Sequence, residues 1–301
     1  MRILAFTQED YPSSLATSYV LIHQSMALED LGHEVHIYNL DKHPLVLTDY
    51  LQSFDFDLIF LDLEVLRSQP LLRTLSQYRC VEPVKVVGAL YRFPAPPDSA
   101  WDVVDFAVSP WKGERISALS AKFDLRYLPF AYNDRLHRRQ TDLPRIGGIF
   151  VGNTSGEKQH EANEYLAELI EEQAVLGVGP AFQEKYMDPF ILGSVYAASR
   201  CLPNFHYSWE KGRDCILNER FWQTGCCGIP VNDYSPLMDE ILETEIVETF
   251  CFADMRQWQE RIRRLNSGAD VVDPSVLKKL DAALTGHSYN DRMKQLLAWL
   301  E

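Results

Sequence analysis

The sequence has no run of about 20 apolar residues, the length a helix needs to cross a bilayer, so a membrane span is not expected. The N-terminal MRILAFTQED carries one basic residue and too short an apolar part for a secretory leader, and the expectation is a cytoplasmic protein. Six cysteines, Cys80, Cys201, Cys215, Cys226, Cys227 and Cys251, include no CxxC pair. That argues against a zinc site and against a secreted disulfide frame, and leaves buried free thiols as the expectation. Basic charge is scarce as well: 29 Lys and Arg against 43 Asp and Glu give a net charge of −14. A chain this acidic lacks the footprint that nucleic acid or an anionic lipid surface requires, and neither is expected as a partner. No tandem repeat on the scale of roughly 20 to 50 residues is present.

What the chain does have is an ordinary globular composition, 46% hydrophobic and 24% charged over 301 residues, enough for two α/β domains with a core each. RILAFT at 2–7 reads as a strand that breaks into the polar turn QEDYPSS. Leu15 to Leu31 follows with helical periodicity and Gly32 as its C-cap. Strands are expected at 34–39, 56–63, 84–91, 105–109 and 125–132, short Val/Ile/Phe/Leu-rich runs separated by helical or loop segments. Repeated βα units of this kind imply a mainly parallel, doubly wound sheet covered on both faces. The basic cluster NDRLHRR, with Arg135, Arg138 and Arg139, reads as a solvated linker or, alternatively, a binding patch.

A second series of units starts at Arg145. IGGIFVGN is a strand ending in the small-residue turn Gly152-Asn153-Thr154-Ser155-Gly156, with Lys158 at the start of the next helix, a pattern that either cradles a diphosphate or is a plain tight turn. AVLGVGP at 174–180 reads as a strand, FILGSVYAAS as a helix, and Glu245 to Phe252 as a strand. Helices are expected over Met255–Leu265 and Tyr289–Leu300.

The stretch Asn204–Pro236 organises this half. Asp214 is the expected N-cap of a helix from Cys215 to Cys227, stopped by Gly225, Gly228 and Pro230 ahead of a short buried strand. A helix start in an α/β protein is a seat for phosphate, because its first N–H groups are unpaired and its dipole is positive there. Cys215, Glu219 and Gln223 would then stack on one face, where a ribose could meet Gln223. An ordinary capped helix has the same pattern, and both readings stand.

The pairing of NERFWQTGCCGIPVND with the upstream FVGN turn and the closing GHSYNDRMKQLL resembles the CgeB-type (spore maturation protein) glycosyltransferases. Their similar run is Asn-Glu-Arg, two residues, Glu, then a Cys-Gly and a later Asp; YLPFAYND looks like their Leu-Pro-Phe strand. The likeness covers the second half well and the first half only in architecture. It implies the GT-B fold, two Rossmann-like doubly wound domains facing across a cleft. Residues 1–142 would be the acceptor side, 143–284 the nucleotide-sugar side, and 285–301 a helix returning toward the first domain. Carried over by position, the resemblance implies Asn218, Glu219, Arg220, Gln223 and Gly228 in the donor site, with Gly152, Asn153 and Lys158 at its phosphate end. Arg213, Arg220 and Lys158 could supply charge to a departing diphosphate. The chain departs from the pattern in two places: Gln223 stands where the family has a ribose-binding carboxylate, and Cys215 where related retaining enzymes have a Glu.

The functional expectation is a metal-independent transfer of a sugar from a nucleotide diphosphate donor, UDP first, to a small-molecule, glycan or protein acceptor. No cofactor and no metal is implied. A nucleotide-sugar epimerase is one alternative, and the two departures keep a non-catalytic binding protein as another. With no carboxylate at Gln223 or Cys215, an inverting reaction needs a base from the first domain. Asp10, with Glu9 beside it, is the candidate in the loop after the first strand, and Asp10 as a simple turn cap is the competing reading.

Overall fold

The computed structural model describes residues 1–7, 16–40, 46–91, 94–140, 143, 145–152, 159–178, 188–211 and 214–301. The chain divides into two compact units, Met1–Pro129 with Tyr289–Glu301, and Phe130–Ser288.

The first unit is built on β1 (Arg2–Thr7), β2 (Glu34–Asn39), β3 (Leu58–Asp62), β4 (Lys85–Ala89), β5 (Phe106–Ser109) and β6 (Leu125–Tyr127). They lie in the order β2-β1-β3-β4-β5-β6, every neighbouring pair parallel. Ile3, Leu4, Ala5 and Phe6 in β1, and Leu58 to Leu61 in β3, are buried without alternation. That is the mark of central strands covered on both faces. The expected strand over 125–132 ends at Tyr127, two residues short of Pro129, which has no N–H to add to a ladder.

The longer helices of this unit are α1 (Ala16–Asp30), α2 (Gln69–Val81) and, from the C-terminus, Tyr289–Ala298. The first ends as its sequence indicates. Gly32 takes φ +86, Gly32 N–H donates to the Glu29 carbonyl at 2.9 Å, and His33 N–H to the Leu28 carbonyl at 3.1 Å, which satisfies two otherwise orphaned carbonyls. The C-terminal helix packs on α1, with the rings of His23 and Tyr289 stacked at 5.7 Å. In this strand order the sheet's topological switch point falls between β1 and β3. Glu9 and Asp10 follow β1 in the sequence and lie outside the described residues.

The second unit repeats the pattern with β7 (Gly148–Val151), β8 (Val175–Val178), β9 (Leu202–Asn204), β10 (Pro230–Asp233) and β11 (Cys251–Phe252). β7 pairs with β8, and β9-β10-β11 form a second parallel set. Ile149 N–H donates to the Cys201 carbonyl at 3.2 Å and joins β7 to the start of β9. The spatial order is therefore β8-β7-β9-β10-β11, which places a second switch point between β7 and β9. Around these strands lie α3 (Gln159–Glu171), α4 (Pro189–Ala197), α5 (Glu219–Cys227), α6 (Met255–Ser267) and α7 (Pro274–Leu284). With these numbered, the C-terminal helix is α8. Trp258 of α6 is wholly buried, and its indole N–H donates to the Val231 carbonyl at 2.8 Å, so its one polar atom is satisfied inside the core.

Three expectations are corrected. Glu245–Phe252 is not a strand: Thr244–Phe250 is a helix, and only Cys251 and Phe252 are extended. Its Ile246 and Phe250 are buried four residues apart, a helical period that the β-branched and aromatic composition obscures. NDRLHRR is not a solvated linker. Arg139 donates to the carbonyls of Gly225 (2.8 Å) and Gly228 at the end of α5 and pairs with Asp281, while His137 accepts the Asn133 N–H and is buried. Finally, α5 begins at Glu219 rather than Cys215, with consequences for the site.

Candidate functional site

Asp214 and Cys215 are extended, and Ile216 and Leu217 go into the core in non-helical backbone. The N-cap is Asn218. Its backbone is extended (φ −64°, ψ 162°), its Oδ1 accepts the Phe221 N–H at 3.0 Å, and its Nδ2 donates to the Phe205 carbonyl at 3.0 Å. Cys215 is therefore not one turn below Glu219, and the expected three-residue stack reduces to Glu219 and Gln223. Asn218, implied as a ligand contact, spends its amide on the helix start and on Phe205.

Shortening the helix puts Arg220 on its first turn, over the switch point. Its Nε donates to Asn204 Oδ1 (3.1 Å) at the end of β9, and its Nη1 to the Val151 carbonyl (3.3 Å) at the end of β7. Nη2 reaches the Phe205 carbonyl at 3.5 Å. The guanidinium lies over the face of Phe150, 4.8 Å from the ring centroid, on an aromatic stack that continues through Phe205 to Tyr165. Asn204 is itself fixed by its Nδ2–H to Asn232 Oδ1 at 3.0 Å. Among the described residues no carboxylate lies within ion-pair distance of Arg220, and the groups that hold it are neutral oxygens. An arginine never loses its proton, so a fixed positive charge stands at the carboxyl edge of the sheet, without a counter-ion among the described residues. Its contacts to Asn204, Val151 and Phe205, with the Tyr207 hydroxyl beside it, hold the guanidinium in place at the strand ends, where an anion could meet it.

Gly152 directly follows β7 at this point. A Cβ built on it would collide with Arg220 Nη1, so the glycine is what lets the guanidinium reach the strand end. Asn153 and Lys158, expected at the phosphate end, and Arg213 lie outside the described residues. Glu219 is the first residue of α5, about 100° around the helix from Arg220. Gln223, a turn further on, is only 4% exposed. Gly228 is not brought to this place. It caps the far end of α5, about 13 Å along the axis, where a Cβ would strike Leu202 Cδ1 at 2.7 Å and its carbonyl accepts from Arg139.

Burial disfavours the thiolate at four of the six cysteines, pushing Cys201, Cys227 and Cys251 up to about 12 and raising Cys226 as well. Burial also lifts the Tyr207 hydroxyl to about 12, against the pull of the Arg220 charge. No group of three or more His, Cys, Asp or Glu side chains with metal-binding geometry occurs among the described residues, and no described helix is long and apolar enough to cross a membrane. Sequence reasoning missed the polar residues that hold the cation, Asn204 and Asn232. The available signal was a pair of amides at the carboxyl ends of two buried strands, where an apolar residue would be expected unless a site is built there.

By sequence, no protein family and no curated protein matches the chain. By structure, several glucosyltransferases do. The β-glucosyltransferase of phage T4 in complex with UDP-glucose superposes with a TM-score of 0.61 at 10% identity, over 99% of this chain and 98% of that one. The same T4 enzyme with UDP and Mn2+ gives 0.62 at 11% identity, over 100% of both chains. An α-glucosyltransferase in complex with UDP and a 13-mer DNA gives 0.67 at 13% identity, over 100% and 99%. Two Rossmann-like units, each with its switch point and with near-complete superposition on these enzymes, establish that the chain has the GT-B fold.

Proposed function

We propose that the chain is a glycosyltransferase that takes a sugar from a nucleotide diphosphate donor, with UDP as the first choice of nucleotide, and that Arg220 holds the diphosphate. The observation that carries this reading is the Arg220 guanidinium, fixed at the carboxyl ends of β7 and β9 by neutral oxygens and without a carboxylate partner among the described residues. A transferase of this class must stabilise the negative charge that grows on the diphosphate as its bond to the sugar breaks. A pre-placed cation does this at no cost of reorganisation. Arg213 and Lys158 are proposed to add charge, Glu219 to meet a donor hydroxyl or orient Arg220, and Gln223 to accept from a ribose hydroxyl. The sequence run NERFWQTGCCGIPVND supports a CgeB-type enzyme as the finer assignment.

In the transfer, a bond forms between the acceptor oxygen and the sugar's anomeric carbon, the bond to the diphosphate oxygen breaks, and the acceptor's proton goes to a base. Asp10, or Glu9 beside it, is proposed for that base, since both follow β1 in the sequence and β1 borders the first sheet's switch point. The net charge of −14 favours a small-molecule, glycan or protein acceptor, although one structural neighbour binds DNA. The reaction is proposed to need no metal, although the T4 enzyme has been seen with UDP and Mn2+.

Incubation with UDP-, GDP- and TDP-sugars, with and without a chelator, tests the proposal. Slow release of free nucleotide that survives the chelator supports it. A changed sugar with the nucleotide still attached would indicate an epimerase, and binding without turnover a non-catalytic protein.

A further inference from the structure

Beside the Arg220 contacts runs a second polar chain. Asp233, the last residue of β10, is 3% exposed and accepts from three groups. These are the His206 backbone N–H (3.0 Å), His206 Nδ1 (2.8 Å) and Lys211 Nζ (2.7 Å). His206 is wholly buried, and its other nitrogen, Nε2, lies 3.3 Å from the backbone N of Asn218. A backbone N–H can only donate, so Nε2 accepts and the ring proton sits on Nδ1, toward Asp233. Asn218 is the N-cap of α5, and the Phe205 carbonyl receives both its Nδ2–H and an N–H of Arg220. The neighbouring residues Asn232 and Asp233 thus brace the first turn of α5 twice, once through Asn204 to Arg220 and once through His206 to Asn218. Lys211 neutralises Asp233, so the carboxylate does not compete for the charge of Arg220.

We propose that His206 is a positioning residue for the donor site. Its Nε2, held as an acceptor by Asp233, fixes the N-cap Asn218 and so aims Arg220 at the diphosphate, an inference that rests on the donor-site reading above. Two half-replacements separate the two nitrogens. His206→Gln can put an amide oxygen where Nε2 accepts, and His206→Asn can put an amide N–H where Nδ1 donates. In both, Asp233 keeps its contacts to the backbone N–H and to Lys211.

Both variants are taken as the full chain, with thermal unfolding as the control for folding, and UDP affinity is measured by calorimetry. His206→Gln is expected to bind UDP within about threefold of the parent, and His206→Asn about tenfold or more weaker, the worth of one hydrogen bond. Without nucleotide, the Nε–H resonance of Arg220, assigned by its loss in Arg220→Lys, is expected to stay in place in His206→Gln and to move or broaden in His206→Asn. Equal UDP affinities in the two folded variants, or a resonance that behaves alike in both, would overturn the proposal. A parent protein that binds no nucleotide, while the resonance moves in His206→Asn alone, leaves the positioning contact standing and defeats the donor-site reading instead.

Discussion

Gly152 and Arg220 share one space: the guanidinium occupies the position a side chain on residue 152 would need. The hard clash of a new methyl is with the far end of the Arg220 side chain, with the Phe150 ring edge crowded at 3.1 Å and no backbone in the way, so Gly152→Ala should leave the fold intact and displace Arg220. We expect a melting temperature within about 4 °C of the parent, an effect of under roughly 1 kcal/mol. UDP affinity should fall about tenfold, from the loss of a charge-assisted hydrogen bond. Unfolding followed by fluorescence, and UDP titration on the same samples, give the two numbers. An unchanged UDP affinity would separate Gly152 from the site.

Arg139 acts at the other end of the same helix. Its donors meet the Gly225 and Gly228 carbonyls that α5 leaves unpaired, and its charge suits the helix C-terminus and Asp281. Asp281 is half exposed, which weakens the ion pair, so Arg139→Ala should cost about 1–3 kcal/mol of stability, mostly from the two carbonyls. Because these carbonyls lie roughly 8 to 12 Å along the helix from Arg220, UDP affinity should change less than about twofold. Urea unfolding and UDP titration together distinguish this from a direct role in binding.

His23 predicts an acid limit. His23 lies on α1 with its ring stacked on Tyr289, and burial lowers its pKa from 6.5 to about 4. A base whose folded pKa lies below its unfolded value contributes its full stability above pH 6.5 and loses it as the pH falls toward 4, because the unfolded chain takes up the proton first. The change amounts to about 3 kcal/mol over that window. His23→Gln removes the titration, so the stability gap between parent and variant should shift by that amount in the variant's favour between pH 7 and pH 4. Parallel stability curves for the two proteins would show that His23 is not the titrating group.

The strands of the first sheet could be read from the sequence because their buried runs, such as Ile3–Phe6 and Leu58–Leu61, are continuous and local, whereas in the second unit the short strands at 202–204 and 251–252 gave no such run. The start of α5 could not. Asp214 and Asn218 are both good N-caps, and the choice between them was decided by the Phe205 carbonyl, a contact 13 residues back in the chain. The sequence singles out Arg220 and Gly152 separately, but does not show that Gly152 makes room for the arginine, since that contact joins residues 68 positions apart. The network of His206, Lys211 and Asp233 was missed for the same reason. Each residue alone looks like an ordinary loop or strand end, and only the fold brings the three together.

The central claim is that Arg220 binds the diphosphate of a nucleotide sugar, and the most direct test compares UDP with uridine on the parent protein and on Arg220→Ala by calorimetry. A guanidinium that serves the diphosphate is worth about 1.5–3 kcal/mol to UDP and nothing to the nucleoside. UDP affinity should therefore fall about 10- to 100-fold while uridine stays within about twofold, which also shows that the nucleoside side of the site is still folded. Equal losses for the two ligands, or no loss for UDP, would contradict the assignment.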